Sequence, residues 1–108
     1  MFIKSMKKIQ EEIKIFCKEN NLESPVEHRV LDTMSELGEV AKEILKMSNY
    51  GRKPIEYKTE LKSELGDVLY SLITVANTFD IDLEDALNQV IDKYKRRLVK
   101  GSAGSEND

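Results

Sequence analysis

Apolar residues in this chain recur at intervals of three and four positions, and no segment alternates apolar with polar side chains over a useful length. The first spacing is that of one face of an α-helix, whereas alternation would indicate a β-strand. Near the N-terminus the pattern runs through Ile3, Met6, Ile9, Ile13 and Phe16. The periodicity therefore predicts an all-α fold.

Breaks in this periodicity divide the chain into four predicted helices. Pro25 and Pro54 are the only prolines, and both lie between periodic stretches; Asp82 begins the last stretch with a capping pattern. The predicted helices cover residues 2–20, about 25–48, about 57–79 and about 82–100. Short connections between long helices place sequence neighbours antiparallel. We therefore expect a four-helix antiparallel bundle that a chain of this length completes by forming an oligomer.

Length and charge narrow the class of protein further. A chain of 108 residues suits one domain, so we expect a single domain over residues 1–108, with residues 101–108 (GSAGSEND) as a flexible tail. The net charge of −3 argues against a nucleic-acid-binding protein, and no apolar run is long enough for a membrane span. The single cysteine, Cys17, fits a reducing compartment, and we expect a cytoplasmic protein.

An acidic hexapeptide occurs twice, as SELGEV from residue 35 and as SELGDV from residue 63. Residues three apart share a helix face, so Glu36 lies beside Glu39, and Glu64 lies beside Asp67. If the second and third helices pack antiparallel, the two pairs can meet across the groove between them. Four carboxylates at that distance repel one another unless a cation neutralises them. Oxygen ligands of this kind favour Mg²⁺, for which Mn²⁺ can substitute.

A plainer interpretation of the same residues remains open. The acidic residues of the second helix lie opposite an apolar stripe that includes Met34 and Leu37, and such carboxylates are often only solvated. Three observations favour a site: the centre of the acidic stripe lacks Lys or Arg, the pattern recurs, and both copies contain a glycine. Gly38 and Gly66 each cost about 1 kcal/mol relative to Ala, which indicates close helix approach or room for a ligand.

Longer segments around the acidic pairs are also distinctive. They read SELGEVAKE, ELGDVLYSL, DIDLEDAL and KYKRR. The acidic pairs themselves form E-x-x-E at Glu36 and Glu39, a spacer from Val40 to Ser63, and then E-x-x-D at Glu64 and Asp67. Over about residues 25–100, the chain resembles the MazG-like branch of the all-α NTP pyrophosphohydrolases.

This resemblance implies a reaction and a metal site. Such enzymes hydrolyse a nucleoside triphosphate between its α- and β-phosphates, giving a monophosphate and pyrophosphate, in some relatives as nucleotide-pool housecleaning. It implies that Glu36, Glu39, Glu64 and Asp67 hold Mg²⁺, and that one of them is the base for the attacking water. It also implies a homo-oligomer, either a dimer or a tetramer.

The resemblance further implies a set of substrate contacts. Lys93 and Arg97 match the family's K-x-x-x-R pattern and would bind the triphosphate, although cations near a helix C-terminus commonly stabilise the helix instead. Asn77 would contact the base or the sugar, or else is an ordinary polar residue. Two other functions stay open, namely a non-catalytic helical oligomerisation or adaptor module and a phosphoribosyl-ATP pyrophosphohydrolase.

Overall fold

The computed structural model describes residues 4–101, which form four α-helices and no strand. The helices are α1 (Met6–Glu19), α2 (Val26–Met47), α3 (Glu60–Thr78) and α4 (Leu83–Val99). The predicted all-α fold with four helices is confirmed, and each observed helix lies within the predicted range. Residues 102–108 of the predicted tail lie outside the described residues. Within residues 4–101, none of the helices combines the length and hydrophobicity that a bilayer-spanning segment needs.

Side-chain caps begin the first and last helices. Ser5 precedes α1, and its hydroxyl accepts a hydrogen bond from the Lys8 amide at 3.2 Å. Asp82 precedes α4, and its carboxylate accepts from the Glu84 amide at 2.9 Å and from the Asp85 amide at 3.4 Å. These bonds satisfy amides that have no partner inside the helix. The capping pattern predicted at Asp82 is therefore confirmed.

The helices α2 and α3 pack most closely and run antiparallel. Arg29, near the start of α2, shares a cavity with Tyr70, which lies at the middle of α3. Glu36, further along α2, lies beside Glu64, which lies early in α3. This arrangement brings together the two helices that carry the repeated hexapeptide.

A buried polar network fastens α1 to the turn between α3 and α4. Gln10 is 7% exposed, and its Nε2 donates to Asn77 Oδ1 at 3.1 Å and to the Ile81 carbonyl at 2.8 Å. Asn77 Nδ2 donates in return to the Gln10 carbonyl at 3.0 Å. Gln10 Oε1 accepts from the Leu83 amide, the first of α4, at 2.9 Å. The position of α4 therefore depends on a side chain of α1.

The face of α2 that packs on α3 mixes apolar and ionisable residues. Every residue of α2 that is not exposed belongs to one repeat with spacings of three and four: Val26, Arg29, Thr33, Glu36, Val40, Glu43 and Met47. The predicted apolar stripe lies outside, since Met34 is 66% exposed and Leu37 is 53% exposed. The solvated-stripe interpretation is therefore wrong for Glu36 and Glu43, which are half-buried towards α3.

The two helix-interior glycines do not mark a close approach of helices within this chain. Gly38 and Gly66 are both exposed. A Cβ atom built on either would meet no described atom within 4 Å beyond its own helical backbone and chain neighbours. The expectation of close helix approach is therefore wrong inside one protomer, and room for a ligand or a second chain stays a prediction.

Candidate metal centre

Three carboxylates converge where α2 crosses the start of α3. Glu36 from α2 and Glu64 and Asp67 from α3 each offer one oxygen, and these oxygens all lie within 4.8 Å of one another. Glu36 and Glu64 are half-buried, and Asp67 is exposed. Glu64 and Asp67 share a face because they are three residues apart, and the antiparallel packing places Glu36 opposite them. We call these three residues the acidic cluster.

Two further carboxylates of α2 lie outside the acidic cluster. Glu39, the fourth residue of the predicted set, is exposed and is not among the three mutually close residues. Glu43 is half-buried and forms an ion pair with Lys46 at 3.7 Å. The structure thus brings together three of the four predicted metal ligands and leaves Glu39 beside them.

The environment of this groove makes Glu64 harder to ionise. Desolvation raises the pKa of Glu64 above its ordinary value of 4.5, and the charges of Asp67, Glu39, Glu36 and Glu43 raise it further, in that order. A raised pKa means that ionising this carboxyl costs more in the folded chain than in the unfolded chain. A bound cation would remove that cost, because it favours the ionised carboxylates.

The donor set of the acidic cluster suits a hard divalent cation. Two oxygens bound to one Mg²⁺ ion, each at about 2.1 Å, lie at most about 4.2 Å apart. The separations in the cluster are limited to 4.8 Å, so small side-chain rotations bring all three oxygens within that range. The cluster contains neither His nor Cys, which softer metals prefer. The residues present therefore fit Mg²⁺ or Mn²⁺.

A cavity of about 380 Å³ adjoins the acidic cluster between α2 and α3. It is lined by Arg29, Asp32, Glu36, Asp67, Tyr70 and Ser71. Arg29 is the only cation in this lining, and the sequence analysis did not select it. One signal was available, because Arg29 precedes Glu36 by seven residues and therefore lies on the same helix face.

The predicted substrate-binding residues occupy other parts of the protomer. Lys93 and Arg97 belong to α4, which packs against α1, and neither lines the cavity beside the acidic cluster. Both flank Tyr94: Lys93 Nζ lies 5.5 Å and Arg97 Cζ lies 5.8 Å from the centre of its ring. Asn77 is engaged with Gln10, as described above. Within one protomer, these three residues are therefore not gathered at the acidic cluster.

Comparison with known proteins links this arrangement to a family. Residues 26–100 match the MazG nucleotide pyrophosphohydrolase domain. The uncharacterized protein YpjD of Bacillus subtilis (strain 168) is 42% identical over 65 residues, which is 57% of this chain and 57% of YpjD. The uncharacterized protein YabN of the same strain is 40% identical over 42 residues, which is 39% of this chain but only 9% of YabN. The match thus spans little more than half of one curated relative and a small part of the other.

Two crystal structures share the fold. One is a Bacillus-conserved MazG protein, a nucleotide pyrophosphohydrolase, with a TM-score of 0.73 and 32% identity over 87% of this chain and 93% of that one. The other is the putative pyrophosphatase YpjD from Bacillus subtilis, with a TM-score of 0.72 and 34% identity over 87% of this chain and 98% of that one. The family match contains α2, α3 and α4 entirely, and with them the acidic cluster. The chain belongs to the MazG nucleotide pyrophosphohydrolase family.

Proposed function

We propose that this protein is a Mg²⁺-dependent nucleoside triphosphate pyrophosphohydrolase, which releases a nucleoside monophosphate and pyrophosphate in nucleotide-pool housecleaning. One observation carries the proposal: Glu36, Glu64 and Asp67 converge at the α2–α3 groove of a chain that belongs to the MazG family. A non-catalytic adaptor would gain nothing from a cluster whose charges raise the pKa of Glu64.

The four acidic residues have related roles in this proposal. Glu36, Glu64 and Asp67 hold the ion, with Glu39 beside them as the fourth member of the set. When bound, Mg²⁺ neutralises phosphate charge and helps to orient the attacking water. One carboxylate of the set accepts the proton of that water at a carboxylate oxygen.

The substrate contacts are the remaining part of the proposal. Lys93 and Arg97 bind phosphate oxygens, Arg97 through its planar fork and Lys93 as a point charge. Asn77 contacts the base or sugar through the second N–H of Nδ2, since the first is donated to Gln10. Because these residues lie apart from the acidic cluster in one protomer, we expect an oligomer to complete the site.

We infer that the working form is a homo-oligomer, a dimer or a tetramer. Large apolar side chains are exposed along the outer faces of α2 and α3: Leu31, Met34, Leu37, Ile44, Leu45, Leu65, Leu69 and Leu72. The radius of gyration is 17.1 Å, whereas a compact domain of this length has about 13 Å. An apolar surface of this extent is typical of an interface.

The proposal is tested with a panel of NTPs and dNTPs in Mg²⁺, with pyrophosphate release as the measurement. The wild-type protein should release pyrophosphate from at least one nucleotide, and EDTA should abolish the reaction. Glu36→Gln should be inactive, because it removes a charge from the acidic cluster. Glu19→Gln is the matched control, since it removes an exposed carboxylate at the end of α1, and it should retain full activity.

The same experiment separates the alternatives. Pyrophosphate release from phosphoribosyl-ATP alone would identify the enzyme of that narrower reaction. Absence of pyrophosphate from every nucleotide and from phosphoribosyl-ATP would favour the adaptor. Equal activity of Glu36→Gln and the wild type would contradict the metal centre.

A further inference from the structure

The cavity beside the acidic cluster offers space to whatever binds there. Its volume is about 380 Å³, and Glu36 and Asp67 belong both to its lining and to the cluster. A polyphosphate held at the cluster therefore has this cavity next to it. The lining contains three carboxylates, so an anion can enter only when a cation has neutralised them.

Arg29 gives one side of this cavity the opposite charge. It is half-buried, and within residues 4–101 it forms no ion pair with a carboxylate. Its Nη2 donates to the Leu22 carbonyl and lies 3.9 Å from Cys17 Sγ. Both contacts use the same nitrogen, whereas a guanidinium has five N–H donors on three nitrogens. The guanidinium also interacts with the Tyr70 hydroxyl. Arg29 is thus held at the wall of the cavity by Leu22, Cys17 and Tyr70, and its five N–H donors exceed the number that these three contacts use.

Among the described residues, none of the groups that hold Arg29 in place is a carboxylate. Tyr70 shares the cavity, and its hydroxyl lies 3.2 Å from Cys17 Sγ. The hydrogen bond with Cys17 raises the pKa of Tyr70, with desolvation as the second cause, while Arg29 opposes the shift. Tyr70 is therefore a neutral phenol at neutral pH. A half-buried guanidinium without an anionic partner, next to a metal centre, is suited to bind phosphate.

We infer that Arg29 is a substrate-binding residue, whose guanidinium binds a phosphate group of the nucleotide in the cavity between α2 and α3, beside the acidic cluster. This inference rests on the proposed function, because it needs a polyphosphate substrate and a bound cation. Arg29 supplies the phosphate contact within the protomer that Lys93 and Arg97 do not supply there. The phosphate is bound only together with Mg²⁺.

The test measures binding of inorganic pyrophosphate and of a nucleoside monophosphate, the two halves of the substrate, by calorimetry in saturating Mg²⁺. Arg29→Gln should weaken the binding of at least one of them about tenfold or more, as expected when a charge-assisted hydrogen bond is lost. Arg29→Lys, which keeps the charge without the fork, should be intermediate. Lys42→Gln, an exposed charge removal on the same helix, should bind like the wild type.

Thermal unfolding of each variant separates a ligand contact from a structural role. If Arg29→Gln melts lower but binds both probes as the wild type does, Arg29 only anchors the loop at Leu22 and the inference is overturned. If Arg29→Gln does not fold, Arg29→Lys is the variant that tests the inference. If Arg29→Lys binds both probes with wild-type affinity, the inference is overturned. A wild-type protein that hydrolyses nucleotides while the variants bind normally refutes this inference alone. A wild-type protein that neither binds the probes nor hydrolyses a nucleotide refutes the proposed function as well.

Discussion

Single residues in the α2–α3 groove place charge where a helix pair usually places apolar side chains. Glu36, Glu43 and Glu64 are half-buried, and only Glu43 has a cation within ion-pair distance among the described residues. Desolvation raises the pKa of Glu64, and the neighbouring carboxylates raise it further. Carboxylates placed together in this way lower the stability of the folded chain at neutral pH unless a cation neutralises them.

We predict that Glu64→Gln stabilises the metal-free protein at neutral pH. The pKa of Glu64 is raised above 4.5 in the folded chain, so the folded chain favours the protonated carboxyl. The stability that this proton provides is fully present below pH 4.5 and is lost as the pH rises through the raised pKa. Gln carries no charge, so the advantage of the variant should shrink as pH falls towards 4.5. Denaturant unfolding in EDTA at neutral and acidic pH measures both effects. A variant no more stable than the wild type at neutral pH would contradict the repulsion, and Glu19→Gln serves as control.

We also predict that Glu39→Gln abolishes turnover and leaves the helical fold intact. Glu39 is exposed, so its neutral isostere removes a charge without disturbing packing. If Glu39 is the base, kcat should fall about 10²- to 10⁴-fold with unchanged Mg²⁺ affinity. If it is a ligand, Mg²⁺ affinity should fall as well. Circular dichroism checks the fold, and retained turnover would remove Glu39 from the site.

Whole helices were the part of this structure that the sequence predicted best. Spacings of three and four locate the four helices, because the pattern depends only on local geometry. The face of α2 that packs on α3 could not be predicted. An apolar stripe indicates a face that will be buried, but not whether the same chain or a second chain buries it. The hydrogen bond between Gln10 and Asn77 could not be predicted from the sequence either, because 67 positions separate the two residues. The acidic cluster was predictable from its repeat. The sequence signal for Arg29 was only its position seven residues before Glu36, and the cavity that both residues line is evident only in the structure.

We predict that Gln10→Leu lowers the free energy of unfolding by about 1–3 kcal/mol. Leu has a similar size but leaves the Leu83 amide and the Ile81 carbonyl without their buried partner. Urea unfolding gives the difference. Gln89→Leu, at an exposed position of α4, should change stability by about 0.5 kcal/mol or less. Equal effects of the two substitutions would mean that the network does not hold α1 in place.

On the scale of the whole molecule, the protomer exposes many large apolar side chains on its outer surface. Met34, with 66% of its surface exposed, lies at the middle of the apolar stripe of α2. Only five apolar residues in the described chain are buried: Cys17, Val40, Met47, Ile73 and Ala76. With so small a core, we expect association to supply much of the stability of the fold.

We therefore predict that Met34→Glu converts the oligomer to monomer and lowers its thermal stability. A charge in a buried apolar interface loses its hydration without gaining a partner. Sedimentation velocity at several protein concentrations measures the change. Ile55→Glu, at a residue that is also 66% exposed but lies in the α2–α3 connection, is the control and should remain oligomeric. A wild-type protein that sediments as a monomer would refute the oligomer.

The polar network of Gln10 links α1 to the rest of the fold, so it bears on whether the chain can be truncated before α2. The family match begins at residue 26 and therefore leaves out α1. Yet α1 covers Asn77 of α3 and provides the acceptor for the first amide of α4. The N-terminal end of the family match thus separates α1 from residues of α3 and α4 that it contacts. A chain trimmed to residues 26–100 would keep every proposed metal ligand while losing the hydrogen bonds that support its last helix.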